Sequence, residues 1–331
     1  SGQPDSVAVS PDGNYAAIVI ENERDEDLGD GYPPQFPAGA VEVIELAGDP
    51  TTWTTTVVDV TGIADLYPGD PEPEYVDIND DNIAVVTMQE NNHLVLIDVT
   101  TAAVVDHFSA GTVNLTGIDV IEEDPAIIAQ TGSLDNIPRE ADGVAWIDTE
   151  YFATADEGDL DGGSRGFTVY DIEGNVVYTS GNDLDQLTAA LGHYPDGRSE
   201  NKGNEPENVE FGRFIGTDYL IVASERSSVL FVYNMSDPTN PELKQVLPAA
   251  AGPEGVLAIP SRDLLIAASE EDNRGDKLRG TLNIYQYSKT EATYPDIQST
   301  DRAGGEPIPW GAMSGLAAGS LNPDMLYAVE D

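Results

Sequence analysis

Residues 72–92 of the chain read Glu-Pro-Glu-Tyr-Val-Asp-Ile-Asn-Asp-Asp-Asn-Ile-Ala-Val-Val-Thr-Met-Gln-Glu-Asn-Asn. An apolar run enters at Pro73-Glu74-Tyr75-Val76, turns through an Asn/Asp cluster, and returns as a second β-rich run to Glu90. Short runs of this kind around a polar turn predict a hairpin of two antiparallel strands. The same entry recurs at Pro4-Asp5-Ser6-Val7, Pro206-Glu207-Asn208-Val209 and Pro253-Glu254-Gly255-Val256. Ala141-Asp142-Gly143-Val144 lacks only the proline, and Met313-Ser314-Gly315-Leu316 keeps only the apolar position. A glutamate closes each repeat: Glu21, Glu90, Glu157, Glu225, Glu270 and Glu330, at 14, 14, 13, 16, 14 and 14 residues from the apolar entry residue. An acidic composition alone does not hold that spacing behind six similar two-strand patterns.

In most repeats a third β-rich run follows (residues 41–46, 94–99, 167–171, 229–234 and 282–287), usually with a fourth (55–60, 103–108, 176–179 and 244–247). Four strands per repeat, at intervals of 47 to 69 residues, predict an all-β chain built as a β-propeller of four-stranded blades. Six hairpins are visible and the last blade is incomplete, so seven blades are expected in the full protein. Residues 1–331 are expected to be a single β-propeller domain within a longer polypeptide, because a ring with unfinished strands leaves sheet edges unpaired. Excursions are expected at residues 28–40, 114–139 and 180–204. Within the last, Leu184, Leu187 and Leu191 stand at helical spacing and predict a short helix over Asp183–Leu191.

The 331 residues carry 61 acidic and 14 basic side chains, a net charge of −47. That excludes binding to a nucleic-acid backbone, which requires Lys and Arg to neutralise phosphates, and argues against docking on an anionic membrane. Disorder would be the usual consequence of such acidity, but 40% of the residues are apolar and they cluster in β-like runs. A folded protein with a hydrated acidic surface follows, of the kind secreted by halophilic or marine microbes. With no cysteine in the chain, disulfides and thiolate chemistry are excluded. No apolar run reaches the roughly 18 residues of a membrane span. The start at Ser1-Gly2-Gln3-Pro4 shows no signal peptide, as in the mature form of an exported protein.

An antiparallel hairpin begins and ends at the same end. The entry acids Asp5, Glu74, Asp142, Glu207 and Glu254 should therefore share one face with Glu21, Glu90, Glu157, Glu225 and Glu270, around the mouth of a central channel. Asp156-Glu157-Gly158-Asp159-Leu160-Asp161 is the best local metal motif. Asp159 and Asp161 alternate about a glycine-flanked turn as calcium ligands do, and Asp156 and Glu157 complete the candidate set; the loop is not an EF-hand. Oxygen-only ligands favour Ca²⁺, with Mg²⁺ as the other fit. A solvated acidic loop is the alternative. Arg139, Arg165 and Arg226 stand beside these acids and are candidates for binding phosphate or for neutralising the ring. Of the three histidines, His107 falls in a strand pattern, His93 is read as a turn residue where a strand begins, and only His193 lies in an excursion. Together with the absence of a Gly-x-Ser-x-Gly elbow, this gives nucleophilic serine catalysis little support. Asn114-Leu115-Thr116 and Asn234-Met235-Ser236 are glycosylation sequons of weak weight.

Glu72-Pro73-Glu74-Tyr75-Val76 with Gln89-Glu90-Asn91-Asn92 resembles the repeat of the choice-of-anchor I proteins, also called mesenchyme-specific cell-surface glycoprotein-like or alkaline-phosphatase-like. Arg139-Glu140-Ala141-Asp142-Gly143-Val144 leading to Thr154-Ala155-Asp156-Glu157-Gly158-Asp159 is similar to that family as well. So are Lys202-Gly203-Asn204-Glu205-Pro206-Glu207, Ser224-Glu225-Arg226 and Gly252-Pro253-Glu254-Gly255. The tail from Met313 to Asp331 resembles the opening of an esterase-like phytase domain, with Glu330 in place of an expected serine. The resemblance implies a secreted or cell-surface propeller. It also implies a Ca²⁺-dependent phosphoester hydrolase of phytase-like or alkaline-phosphatase-like type acting on a small phosphoester. The alternative is a non-catalytic, cation-stabilised module for adhesion or assembly, with a surface polymer as partner. Further strands or domains of the same polypeptide are expected neighbours in either case.

Overall fold

The structure, a computed structural model, describes residues 2–22, 24–25, 27–275, 277–290, 296–311, 313–322 and 324–330. Each entry-and-return segment forms a hairpin, and most hairpins grow outward into a blade. Blade 1 is β1 (Gln3–Val9), β2 (Tyr15–Glu21), β3 (Ala40–Glu45) and β4 (Thr55–Val58), paired in that order. Blade 2 is β5 (Pro73–Ile78), β6 (Ile83–Met88), β7 (His93–Asp98) and β8 (Ala103–Ser109). A separate hairpin follows, β9 (Thr112–Ile118) with β10 (Gly132–Pro138). Blade 3 is β11 (Val144–Trp146), β12 (Tyr151–Asp156), β13 (Gly166–Asp171) and β14 (Val176–Thr179). Helix α1 spans Asp183–Leu191 as the leucine spacing predicts, and ends on Gly192 at φ 75°, a left-handed C-terminal cap that glycine adopts without steric cost. Blade 4 is β15 (Pro206–Phe214), β16 (Thr217–Ser224), β17 (Val229–Asn234) and β18 (Glu242–Pro248).

Blade 5 has three strands among the described residues, β19 (Pro253–Ile259), β20 (Leu264–Ser269) and β21 (Thr281–Gln286). The sixth hairpin, β22 (Met313–Ala318) with β23 (Leu326–Glu330), forms a two-stranded sheet of its own. The β-propeller of four-stranded blades is present; among the described residues it has five blades, and the sixth expected hairpin does not join the ring as a blade. The Met313–Glu330 segment has the hairpin spacing, yet Leu316, Leu326, Tyr327 and Val329 are more than half exposed, so it lacks the packed faces of a blade.

The first strands of successive blades touch, β1 to β5, β5 to β11, β11 to β15 and β15 to β19, so they are the innermost strands. Successive residues of a strand face opposite ways, and the inner blades bury both faces. On β6, Ala84 and Val86 pack with Val19 and Val43 of blade 1, whereas Val85 packs with Trp146, Phe152 and Tyr170 of blade 3. Phe167 and Val169 meet Val222 and Phe231 between blades 3 and 4. Ile221 and Leu230 meet Val256 and Leu265 between blades 4 and 5.

A polar staple crosses two of these junctions. Asp77 Oδ2 accepts from Trp146 N at 2.8 Å, and Glu210 Oε1 accepts from Ala258 N at 2.8 Å. Each carboxylate directly follows its blade's entry valine, and each donor lies two residues after the entry valine of the next blade. Where β11 approaches β15, a Cβ on Gly143 would lie 2.6 Å from Asn208 Cα, so only glycine allows that approach.

Candidate functional site

The entry motif acquires its meaning from a break in strand register. In blades 1, 2, 4 and 5 the pairing shifts between Pro4 and Val7, Pro73 and Val76, Pro206 and Asn208, and Pro253 and Val256. The acid after each proline therefore sits in a bulge, which re-aims its side chain out of the ladder. The exit glutamate is tied back to the same place: Glu225 N donates to Glu205 O and Glu270 N to Gly252 O, both at 2.9 Å. Entry and exit carboxylates are thereby delivered together by backbone geometry alone.

Two carboxylate groups result. One oxygen from each of Asp5, Glu21 and Glu74 lies within 4.8 Å of the other two, and the same holds for Asp142, Glu157 and Glu207. The remaining expected mouth residues, Glu90, Glu225, Glu254 and Glu270, border them electrostatically. Burial, reinforced by Glu90, Glu21, Asp142 and Asp5, holds the Glu74 carboxyl well above the usual carboxylate range. Burial does the same to Asp142, with Glu157, Asp5 and Glu254 adding repulsion, and to Glu207, with Glu157, Asp142, Glu225 and Glu254 adding theirs. Burial, followed by the charge of Asp159, likewise raises Glu90. Glu225 and Glu254 are each pushed up to about 7, again chiefly by burial. All ten expected mouth carboxylates thus belong to one connected acidic face. The side chain of Glu330 lies outside the described residues.

Basic groups from distant segments enter this face. Lys202 Nζ lies 2.6 Å from Glu157 Oε1, while Gln89 Nε2 donates to Glu157 Oε2 at 2.6 Å. Arg24 reaches from the excursion after β2 to Asp159, with Nη2 at 2.6 Å, and its Nε is 4.0 Å from Glu90 Oε1. Arg226 pairs with Glu205 at 2.6 Å and Glu225 at 2.7 Å. Arg226 was legible from its place beside Glu225. Lys202 and Arg24 were not read from the sequence: Lys202 stands 45 residues from its partner and Arg24 stands 135, with no local pattern to announce them.

The Asp156–Asp161 motif does not gather as a ligand set. Asp156 is 1% exposed and accepts from Thr154, Ser164 and Thr168, 3.6 Å from Arg139 Nε. Asp159 pairs with Arg24, and Asp161 meets the Tyr32 hydroxyl at 3.4 Å. Of the four, Glu157 alone joins a carboxylate cluster. The loop is organised about an anion: Asp159 N, Asp161 N and Gly162 N all donate to the Glu140 carboxylate, at 2.7, 3.0 and 2.9 Å. A cation loop turns its oxygens inward, whereas this one turns its amides inward.

Two of the three candidate phosphate-binding arginines are structural. Arg165 is fully buried and spent on Asp185 at 3.1 Å and on the carbonyls of Asp119 and Ser199 at 2.7 Å. Arg139 is 5% exposed and donates to Thr168 and to the carbonyls of Ala110 and Thr112. Arg226, with its side chain 38% exposed, is the one that reaches the rim. The histidines take no part in either carboxylate cluster: His93 and His107 bond to each other at 3.0 Å and His193 bonds to Ser227 O.

The chain has counterparts among known proteins in its family and in its fold. The choice-of-anchor I domain matches residues 1–162 and 161–238, most of the chain. The chain belongs to the choice-of-anchor I family. As an anchor domain it is a cell-surface or extracellular part. No helix among the described residues is long and apolar enough to cross a membrane. No curated protein matches this choice-of-anchor I chain in sequence. Among solved structures it is similar to a protein of Bacteroides uniformis provisionally assigned as a 6-phosphogluconolactonase, at 12% identity and a TM-score of 0.53. That likeness covers 99% of this chain and 78% of the other. A functionally unknown protein of Desulfotomaculum acetoxidans is similar at 12% identity and a TM-score of 0.53, over 97% of this chain and 77% of its own. At such identity these neighbours establish a shared fold.

Proposed function

We propose that this choice-of-anchor I domain is an extracellular propeller that holds hard divalent cations, calcium foremost, at its acidic mouth. The ligands are Asp142, Glu157 and Glu207 in one site and Asp5, Glu21 and Glu74 in the other. One observation carries the proposal: Glu207 Oε2 and Glu90 Oε2 are buried on this face with no hydrogen-bond partner, amid carboxylates whose pKa values are raised. A buried oxygen of that kind costs free energy unless a proton or a cation meets it. The ligand chemistry favours calcium: all the donors are carboxylate oxygens from flexible side chains, and Ca²⁺ accepts about six to eight oxygens in loose geometry, whereas Mg²⁺ demands near-ideal octahedral placement and keeps several waters. At the Glu157 site the entering cation exchanges with the Lys202 ammonium.

The test is thermal melting in EDTA and in CaCl₂. Calcium at a hundredfold excess over Kd should stabilise the fold by about 2.7 kcal/mol. The Asp142→Asn/Glu207→Gln variant should keep only the part of that response supplied by Asp5, Glu21 and Glu74, and Asp159→Asn should keep all of it. An equal calcium response in the first variant, or none in the native protein, overturns the proposal.

A phosphoester hydrolase at the same mouth is a second reading, favoured by Arg226 and Lys202 standing beside the carboxylates. A bound calcium would supply Lewis acidity and a more acidic water. Arg226, the exposed arginine of the rim, would orient a phosphate through paired N–H donors. Calcium-dependent release of phosphate from a phosphomonoester, lost in Arg226→Ala, supports it; a sugar lactone serves as the comparison substrate. Calcium-dependent melting without turnover leaves a binding module that serves adhesion or assembly.

A further inference from the structure

A cleft of about 650 Å³ opens between the outer strands of blades 4 and 5, on the side where blade 5 has no fourth strand among the described residues. Its volume falls within the ~300–1,000 Å³ usual for small-molecule sites. Its composition runs against the rest of the molecule. Among the described residues no Asp or Glu lines it, although 61 of 331 residues are acidic. Lys244 and Lys289 line it, and they are two of only four lysines in the chain. Lys244 pairs with Glu242 at 2.5 Å, but the Glu242 side chain is 68% exposed, so solvent screens that contact.

Part of the lining is aromatic. Phe214 and Tyr287 stack with centroids 5.4 Å apart, Tyr219 stands 5.9 Å from Tyr287, and the two tyrosine hydroxyl oxygens are 3.4 Å apart. Gln245 and Gln286 add neutral amides. Aromatic side chains offer apolar surface with a polar tip, which suits the C–H faces of a sugar ring. Amides and hydroxyls suit its hydroxyl groups, and an ammonium suits a carboxylate. We propose that this cleft binds an acidic saccharide, a sugar ring that bears a carboxylate. It shares no residue with the channel mouth and would bind its ligand independently of cations there.

The test is calorimetric titration in EDTA, which removes any calcium bridge between a uronate and the mouth. The probes are a uronate tetrasaccharide, its neutral hexose counterpart and free glucuronate. The uronate tetrasaccharide should bind at least tenfold more tightly than the neutral one. Lys244→Gln/Lys289→Gln, surface exchanges that spare the core, should weaken it tenfold or more, as should Tyr287→Ala. Asp142→Asn/Glu207→Gln should bind it as the native protein does. Glucuronate equal to the tetrasaccharide assigns the cleft to a free sugar acid; tighter binding of the tetrasaccharide assigns it to a polymer, and both uphold the proposal. Equal affinity for the neutral sugar, native affinity in the double lysine variant, or no binding of any uronate overturns it.

Discussion

Glu210 offers a sharp test of how burial acts at a blade junction. Its carboxylate accepts from Ala258 N across blades 4 and 5. Burial, aided by the charge of Asp77, pushes its carboxyl from 4.5 up to about 8, although the Ala258 hydrogen bond works the other way. Between those values the unfolded chain has lost a proton that the folded chain keeps. The stability that Glu210 contributes is therefore fully present below about pH 4.5 and drains away as pH rises toward 8. At about 1.4 kcal/mol per unit the loss is bounded near 5 kcal/mol, and water reaching a partly buried group reduces the expectation to about 1–3 kcal/mol. Glutamine keeps the shape and the acceptor oxygen but has no proton to lose. Glu210→Gln should match the native protein at pH 4 and exceed its stability by about 1–3 kcal/mol at pH 8.5, read from urea unfolding curves. Parallel pH profiles for the two proteins would refute the assignment of the penalty to this carboxyl.

Arg165→Met should cost about 3–5 kcal/mol in the same unfolding assay, because it strands the buried Asp185 charge; a loss below 1 kcal/mol would show that the pair is dispensable. Glu140→Gln should speed amide exchange of residues 159–162 roughly tenfold by weakening a charge-assisted acceptor, while blade 5 stays unchanged; uniform exchange across both would contradict the account of the loop. Melting temperatures should climb from low to molar NaCl as the Debye length shrinks from about 30 to about 3 Å around a net charge of −47. A flat or falling curve would remove self-repulsion as a factor in stability.

The hairpins, their four-stranded extension and helix α1 were legible because they depend on neighbours in sequence. Strand alternation and a short turn set the pairing within one repeat, and an antiparallel hairpin must return its exit glutamate to the end where its entry acid began. The convergence of Glu74, Asp142, Glu207 and Glu254 with the exit glutamates followed from that. The depth of the convergence did not: the bulge after each entry proline, which turns the acid out of the ladder, appears only in the register of paired strands. Nor could the motif at Asp156–Asp161 reveal that Glu140 occupies its centre, or that Arg139 and Arg165 are buried beneath it. A run of carboxylates looks the same in sequence whether it faces an arginine, an amide cradle or another carboxylate. Which of these it meets depends on how blades and excursions pack. Arg24 meets Asp159 because blades 1 and 3 share one mouth, and Met313–Glu330 stands apart because hairpin spacing does not by itself supply a face to pack against. Local periodicity determined the blades, and the packing between blades and excursions decided the partners of Glu157 and Asp159.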